Sequence, residues 1–432
     1  MVDRHMPIRR HRKYVTDGDL DALLAHYKAG TTIDPSGTMT FDDHRLDELE
    51  RILPDAFDAD PSLTPQQVSR ILTRALRDSR KGSAYSVDDI VARARVAAQD
   101  LLSHSPKSYA MWTKFRAVQM PFHDGFELEW SDVRIRSEHT LPDHMHLEEY
   151  LISGHGYVHP SEPEHYGFLV MECSTRNREE AAARMFEAQQ LFYALFNVYE
   201  RGFFTLFHSR MAPEGKLLSG PYHFLYAEGQ FVGQDTVWYD PDYDEEDWTS
   251  LPLSMEQVLP RLKPALRALE VLAAHPLRNV IIKVLHLLQD GMAARTYSYR
   301  LLRFWSALEQ LYGEPGSGQK DYKQIIRRAS FAEDDKVLSR WKLSHISRHR
   351  NDYVHAGNDA GEIYTMCQYL RHLLLRHVNY LLYNAEGLSR LADWHRIVDL
   401  PADEGELQRL EQAIARRMKI IGQGKVPENS ES

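Results

Sequence analysis

The sequence predicts an α+β amino-terminal region followed by an all-α helical bundle, predominantly helical overall. Three observations predict it. Between residues 111 and 252, apolar runs of strand length surround one long amphipathic segment. From Ser254 onward, apolar residues recur at three- and four-residue spacing almost without a break. Residues 1–110 carry shorter amphipathic segments joined by short loops. The expected divisions are an amino-terminal helical segment at 1–110, an α+β sensing or regulatory region at 111–252, a helical bundle at 253–400, and a carboxy-terminal helix with a disordered tail at 401–432.

In the first segment, helices are expected over Asp17–Tyr27, Phe41–Leu53, Thr64–Asp78 and Ser86–Leu102. Thr64-Pro65 and Ser86-Val-Asp-Asp supply a capping hydroxyl, a proline suited to a first turn, and early carboxylates. In the second, Phe126–Arg136 alternates as a half-exposed strand should, and Tyr166–Cys173 is a continuous apolar run that reads as a buried strand. Asn177–Tyr199 is a long helix with Glu179 and Glu180 in its first turn, where the helix dipole favours carboxylates. Phe203–His208 and Tyr222–Glu228 read as further strands, and the acidic stretch Tyr239–Asp247 as a linker. In the third, helices are expected over Ser254–Ala273, Pro276–Asp290, Ala294–Tyr312, Lys320–Ser330, Asp334–Ser344, Arg348–Ala356 and Ala360–Tyr383, with Glu404–Met418 following. Gly313–Gly318 reads as a hinge loop, because it lacks the Gly-Lys-Ser/Thr ending of a phosphate-binding loop. Gly422–Ser432 reads as a frayed tail.

Composition narrows the class. The 432 residues are 43% hydrophobic and 26% charged, which excludes a mostly disordered or membrane-embedded chain. Cys173 and Cys367 are the two cysteines, too few for a disulfide framework or an all-cysteine zinc site. No apolar run has the length of a membrane span, and Met1–Val15 lacks the apolar centre of a signal peptide, so a cytoplasmic protein with no membrane partner is expected. The net charge of -10 is unevenly spread. From Lys320 to Arg350 there are 9 Lys/Arg against 4 Asp/Glu, whereas Gln234–Glu256 holds 8 Asp/Glu and no Lys/Arg. A polyanion depends on local rather than net charge, and the basic stretch offers Lys320, Lys323, Arg327, Arg328 and Arg348 as RNA contacts.

The candidate chemistry lies in Arg350-Asn-Asp-Tyr-Val-His355. Arginine is a permanent forked cation suited to phosphate, and histidine titrates near neutrality. Together they suit metal-free cleavage of RNA, with the 2′-hydroxyl as nucleophile, an imidazole handling a proton and a guanidinium holding phosphorane charge. The spacing alone is cheap, for it recurs at Arg134/His139, Arg340/His345 and Arg390/His395. Five residues turn about 500° on a regular helix, leaving the two side chains roughly 140° apart in projection. They converge only if the helix start is irregular or a second copy faces the first. Asn351 and His355, four apart, share a face. What distinguishes Arg350 is its basic context and the upstream helix Arg303-Phe-Trp-Ser-Ala-Leu-Glu-Gln-Leu-Tyr312.

On these residues, the segment from about Ser254 to Ala385, roughly a third of the chain, resembles the HEPN superfamily, in particular its Apea-like branch. The family pattern of Arg, a polar residue, three variable residues and His is met by Arg350, Asn351 and His355, and Leu308-Glu309-Gln310-Leu311 is similar to its upstream Leu-Glu-x-Leu helix. The resemblance implies a HEPN-like helical bundle that forms a homodimer and joins two motifs in one cleft. It implies a metal-independent endoribonuclease of bacterial antiphage defence or of a toxin, with RNA as substrate and no cofactor. A phage-derived trigger or a neutralising partner fits the same setting. On this reading His355 is the acid-base residue, Arg350 the phosphate-stabilising one, Asn351 orients the phosphate or the imidazole, and Glu309 holds Arg350. The alternative is a non-catalytic HEPN module binding RNA, nucleotide or protein.

Other features have blander explanations. The histidines His139, His144, His146, His155, His159 and His165, with Glu148, Glu149 and Glu162 nearby, could in principle hold zinc, but no ligand spacing such as His-Glu-x-x-His occurs, so a solvated loop is expected and no metal site. The aromatics Phe186, Phe192, Tyr193, Phe196, Tyr199, Phe203, Phe204 and Phe207 read as core rather than as base-stacking platforms. Arg9, Arg10, Arg12 and Lys13 read as a solvated end.

Overall fold

The computed structural model describes residues 8–10, 16–36, 38–41, 50, 53–60, 62–82, 85–116, 126–138, 140, 167–199, 217–233, 237–239, 255–314, 321–356, 363–401 and 403–423, with backbone alone at 352–356 and 420–423 among others. Among these, the chain is α+β and mostly helical.

Residues up to Ser103 fold around their own apolar core. Helices α1 (Asp17–Ala29), α2 (Pro65–Lys81) and α3 (Val87–Ser103) bury Leu24, Tyr27, Leu72, Leu76, Ile90 and Ala94 against one another. Each starts where a side chain satisfies a bare amide. Thr16 and Asp19 form a reciprocal capping box, Thr64 and Gln67 form another ahead of Pro65, and Ser86 receives the Asp89 amide. This unit is not purely helical. Strand β1 (Ile8–Arg10) pairs with β4 (Phe57–Ala59), and β2 (Thr31–Ile33) with β3 (Met39–Phe41). Arg9 and Arg10 therefore belong to a strand, because the fully buried Ile8 beside them anchors it. Of the expected helix Phe41–Leu53, Phe41 belongs to β3, Glu50 is helical and Leu53 opens a 3-10 turn; residues 42–49, 51 and 52 lie outside the described residues.

An antiparallel sheet follows. Its centre is β5 (Lys107–Arg116), which pairs with β8 (Gly167–Thr175) on one side and β9 (Leu218–Ala227) on the other. β8 continues to β7 (Val133–Glu138) and then β6 (Glu127–Trp130); β9 also carries β10 (Gln230–Phe231) and β11 (Val237–Tyr239). The alternation over Phe126–Arg136 is thus a hairpin rather than one strand. Ser131 and Asp132 both take positive φ, as a tight two-residue hairpin turn needs, and they reverse the chain between Trp130 and Val133. Alternation serves both faces of the sheet. Met111, Met171 and Leu225 meet on one, and Trp112, Val170 and Phe224 on the other, with the Trp112 and Phe224 rings stacked at 4.4 Å. Helix α4 (Arg178–Val198), capped by Asn177, packs on the first face through Met185, Leu191, Phe192 and Phe196. Phe203, Phe204, Phe207 and the histidine-rich stretch lie outside the described residues.

The remaining helices are α5 (Met255–Ala273), α6 (Arg278–Ala293), α7 (Tyr297–Tyr312), α8 (Tyr322–Ala329), α9 (Lys336–Ala356), α10 (Ile363–Tyr383), α11 (Leu391–Val398) and α12 (Glu404–Gln423). The expected division at 252 does not separate two cores, since helices α5–α11 share one apolar core with the sheet and α4. Asn197 of α4 donates to Gln289 of α6 at 3.0 Å inside it, and Arg278 lies 4.5 Å over the Trp130 ring. His275 accepts the Leu277 amide at Nδ1 and donates from Nε2 to the Leu381 carbonyl, tying the α5–α6 corner to α10. Cys173 and Cys367 are both buried thiols rather than disulfide partners of each other. Two expected helices, Asp334–Ser344 and Arg348–Ala356, are one uninterrupted helix, α9, since nothing between them breaks it: Leu343, Ile346 and Ser347 keep one face buried through the junction. Helix α11, not expected from sequence, carries the buried Trp394 and His395.

Candidate functional site

Three helices place side chains around Arg350. From α7 come Trp305 and Glu309, four residues apart and hence on one face. Trp305 is fully buried, and its indole N–H donates to Glu309 Oε1 at 2.9 Å. From α9 come Arg350 and Asn351; from the start of α8 comes Tyr322, which follows the capping residue Asp321.

The Arg350 guanidinium lies among these groups. Nη2 is 3.8 Å from Glu309 Oε1, Nη1 donates to Asn351 Oδ1 at 2.9 Å, and Nη1 approaches the Tyr322 hydroxyl at 3.5 Å. Its carbon sits 5.9 Å from the Tyr322 ring centroid, and that ring is 6.2 Å from the Trp305 ring. The Nε–H is buried with no hydrogen-bond partner among the described residues. The side chain is 21% exposed, against 4% for Glu309, so a partly solvent-accessible cation rests beside a buried carboxylate. Such a cation can take an anionic group from outside: it is charged, oriented and incompletely hydrogen-bonded.

The sequence-expected residues divide sharply. Arg350, Asn351 and Glu309 come together. His355 lies in the last turn of α9 by its backbone, and its side chain lies outside the described residues. Arg350 stands within the last two turns of a regular helix rather than at an irregular start, so helix geometry sets the two positions about 140° apart within one chain. Lys323 and Arg348 are exposed, and Lys320 lies outside the described residues. Arg327 pairs with Asp399 at 2.9 Å. Arg328 is not a surface cation. Buried among α7, α8 and α11, it binds Asp399, Glu314, the Tyr312 carbonyl and His395 Nδ1, all at 2.8–3.2 Å. The arginine-histidine spacing at 340/345 joins nothing, for His345 instead packs edge-on against His349 at 4.4 Å. Two contributors lacked an assigned role in the sequence: Trp305, whose four-residue spacing to Glu309 was the available signal, and Tyr322, for which only tertiary packing gives one.

Among the described residues, no group of His, Cys, Asp and Glu is placed to hold a metal ion, and no helix is long and apolar enough to cross a membrane. No family model, curated protein or solved structure matches the chain.

Proposed function

We propose that the protein is a metal-independent endoribonuclease of HEPN type, acting as a homodimer in antiphage defence or as a toxin. The observation that carries this reading is Arg350: a partly exposed arginine beside a buried carboxylate, on the helix that also bears His355. In the proposed reaction, the ribose 2′-oxygen attacks the adjacent phosphorus and its proton passes to one His355 imidazole. The phosphorus–5′-oxygen bond breaks, and the leaving oxygen takes a proton from the imidazolium of the second copy. The products are a 2′,3′-cyclic phosphate and a 5′-hydroxyl. Arg350 binds the non-bridging oxygens as charge builds on them, and Asn351 orients its guanidinium through the 2.9 Å hydrogen bond. Lys323 and Arg348, both exposed, extend the cationic surface for the flanking backbone. The second copy is needed because a regular helix does not bring Arg350 and His355 of one chain to the same phosphate.

The test is incubation of the full chain with total RNA in chelator, with end-group analysis of the fragments. His355→Ala is expected to slow cleavage by about 10²–10⁴-fold and Arg350→Ala by about 10²–10³-fold. Cleavage by His355→Ala at the wild-type rate removes the proposal. The angular separation within one chain favours a second reading, a non-catalytic module that binds RNA, nucleotide or protein through Arg350. That reading expects intact RNA, together with binding lost in Arg350→Ala and kept in His355→Ala.

A further inference from the structure

Helix α12 stands apart from the rest of the fold. Every side chain from Glu404 to Lys419 is exposed, including Leu407 at 36%, Leu410 at 40%, Ile414 at 55% and Met418 at 68%. At 100° per residue these four fall within an arc of about 80°, an apolar stripe along the helix. Asp403 caps the start, accepting the Glu406 amide at 2.8 Å. An isolated helix of this length is marginal in water, and its stability ordinarily comes from packing its apolar face. No described element of the chain packs on that face.

We infer that α12 is a self-association helix that pairs antiparallel with α12 of a second copy of this chain. Charge selects both the occupant and the direction. Asp403 caps the helix and Glu404, Glu406 and Glu411 lie in its first half against the single cation Arg409, which points away from the apolar stripe, whereas Arg416, Arg417 and Lys419 lie in the second half, which has no carboxylate. Antiparallel pairing lays acidic half on basic half at both ends and opposes the two helix dipoles. With Leu410 level with the second copy's Ile414, Leu407 meets the second copy's Met418, and Glu406 lies beside its Arg417, twice over by symmetry. The register leaves one like-charged contact, Glu411 near its own copy. Parallel pairing aligns the same apolar residues but sets like charge on like: Arg417 meets Arg417 at the edge of the seam, and Glu406 lies near the second copy's Glu411 on both flanks. The inference does not rest on nuclease chemistry, because none of these residues belongs to the Arg350 site.

The experiment is sedimentation of the full chain across micromolar concentrations. Wild type is expected to sediment as a dimer. Ile414→Glu is expected to raise the dimer dissociation constant at least tenfold while leaving the circular dichroism melt of the fold unchanged, since no described element packs on this 55% exposed residue. Arg417→Glu is expected to weaken the dimer and Glu406→Arg added to it to restore it, which antiparallel pairing alone explains. A wild-type monomer throughout, a dimer unaffected by Ile414→Glu, or a charge-swapped double variant no stronger than Arg417→Glu overturns the inference. RNA cleavage is measured on the same samples. Loss of the dimer without loss of cleavage leaves the nuclease reading standing, and absence of cleavage in a stable dimer leaves this one standing.

Discussion

At the scale of single residues, two buried polar clusters look alike in sequence and do different work. Around Arg350, a carboxylate fixed by an indole N–H carries a loosely held, partly exposed guanidinium. Around Arg328, a guanidinium is fully occupied by two carboxylates, a carbonyl and an imidazole. The first can accept a ligand and the second fastens α7, α8 and α11 together. Glu309→Gln removes the carboxylate charge 3.8 Å from the Arg350 guanidinium. Such an ion pair is worth between about 1 kcal/mol when exposed and about 4 kcal/mol when partly buried, so single-turnover RNA cleavage is expected to fall about 10–100-fold with little change in melting temperature. Equal cleavage rates would show that Glu309 does not position the cation. Arg328→Met strips a buried network of its centre and is expected to cost about 3 kcal/mol in urea unfolding, with a loss under about 1 kcal/mol counting against the fastening role. Sequence drew attention to both arginines, but only burial separates them: 4% exposure for Arg328 leaves no edge for a phosphate.

At the scale of elements, most helices were legible because their caps and periodicity agree. Thr16, Thr64, Ser86 and Asn177 each mark a start that the structure keeps. Errors arose where local signals were ambiguous. Alternation across Phe126–Arg136 fits one strand or two, and a Ser-Asp turn lacks the glycine that usually announces a hairpin. Asp132 holds φ +67, which an L side chain adopts at a cost. Asp132→Gly is therefore expected to raise stability by about 0.5–1 kcal/mol in chemical denaturation, since the ion pair it loses to Arg184 is 3.9 Å long and exposed. Gly291 is the opposite case. It sits inside α6, where alanine ordinarily favours a helix by about 1 kcal/mol, yet a Cβ there runs into the Phe304 ring of α7. Gly291→Ala is expected to destabilise by about 1–3 kcal/mol, and an unchanged unfolding midpoint would refute this close packing.

Across the whole molecule, the sheet, α4 and helices α5–α11 bury their apolar faces in one core, while the described residues between 8 and 98 close around another. Several histidines are sealed inside. Burial pushes His377 down to about 3 and His223 to about 4. Both are neutral in the folded chain and free to protonate in the unfolded one, whose imidazoles titrate near the ordinary value of about 6.5. The unfolded state therefore binds more protons as pH falls, and the stability present above about pH 6.5 drains between there and pH 4. Asp290, raised by burial, works in the other direction but only in the carboxylate range. The urea midpoint is expected to drop clearly between pH 7.5 and pH 5, with His377→Gln flattening part of the slope. A midpoint constant over that range would contradict the buried neutral state.

The contact of Glu309 with Arg350 was expected only from the family resemblance; the sequence by itself determined the mostly helical α+β class of the molecule and the succession of most elements. These are consequences of local chemistry, where capping hydroxyls, apolar period and the charge of a basic stretch act within a few residues of one another. Tertiary structure alone decided that α9 runs unbroken through the motif, that Arg328 is enclosed while Arg350 stays partly exposed, that Trp305 and Tyr322 wall the site, and that no described element packs on α12. The physical reason is desolvation. Whether a charge or an apolar stripe meets water is set by chain segments far away in sequence, and no local pattern encodes which of them will arrive.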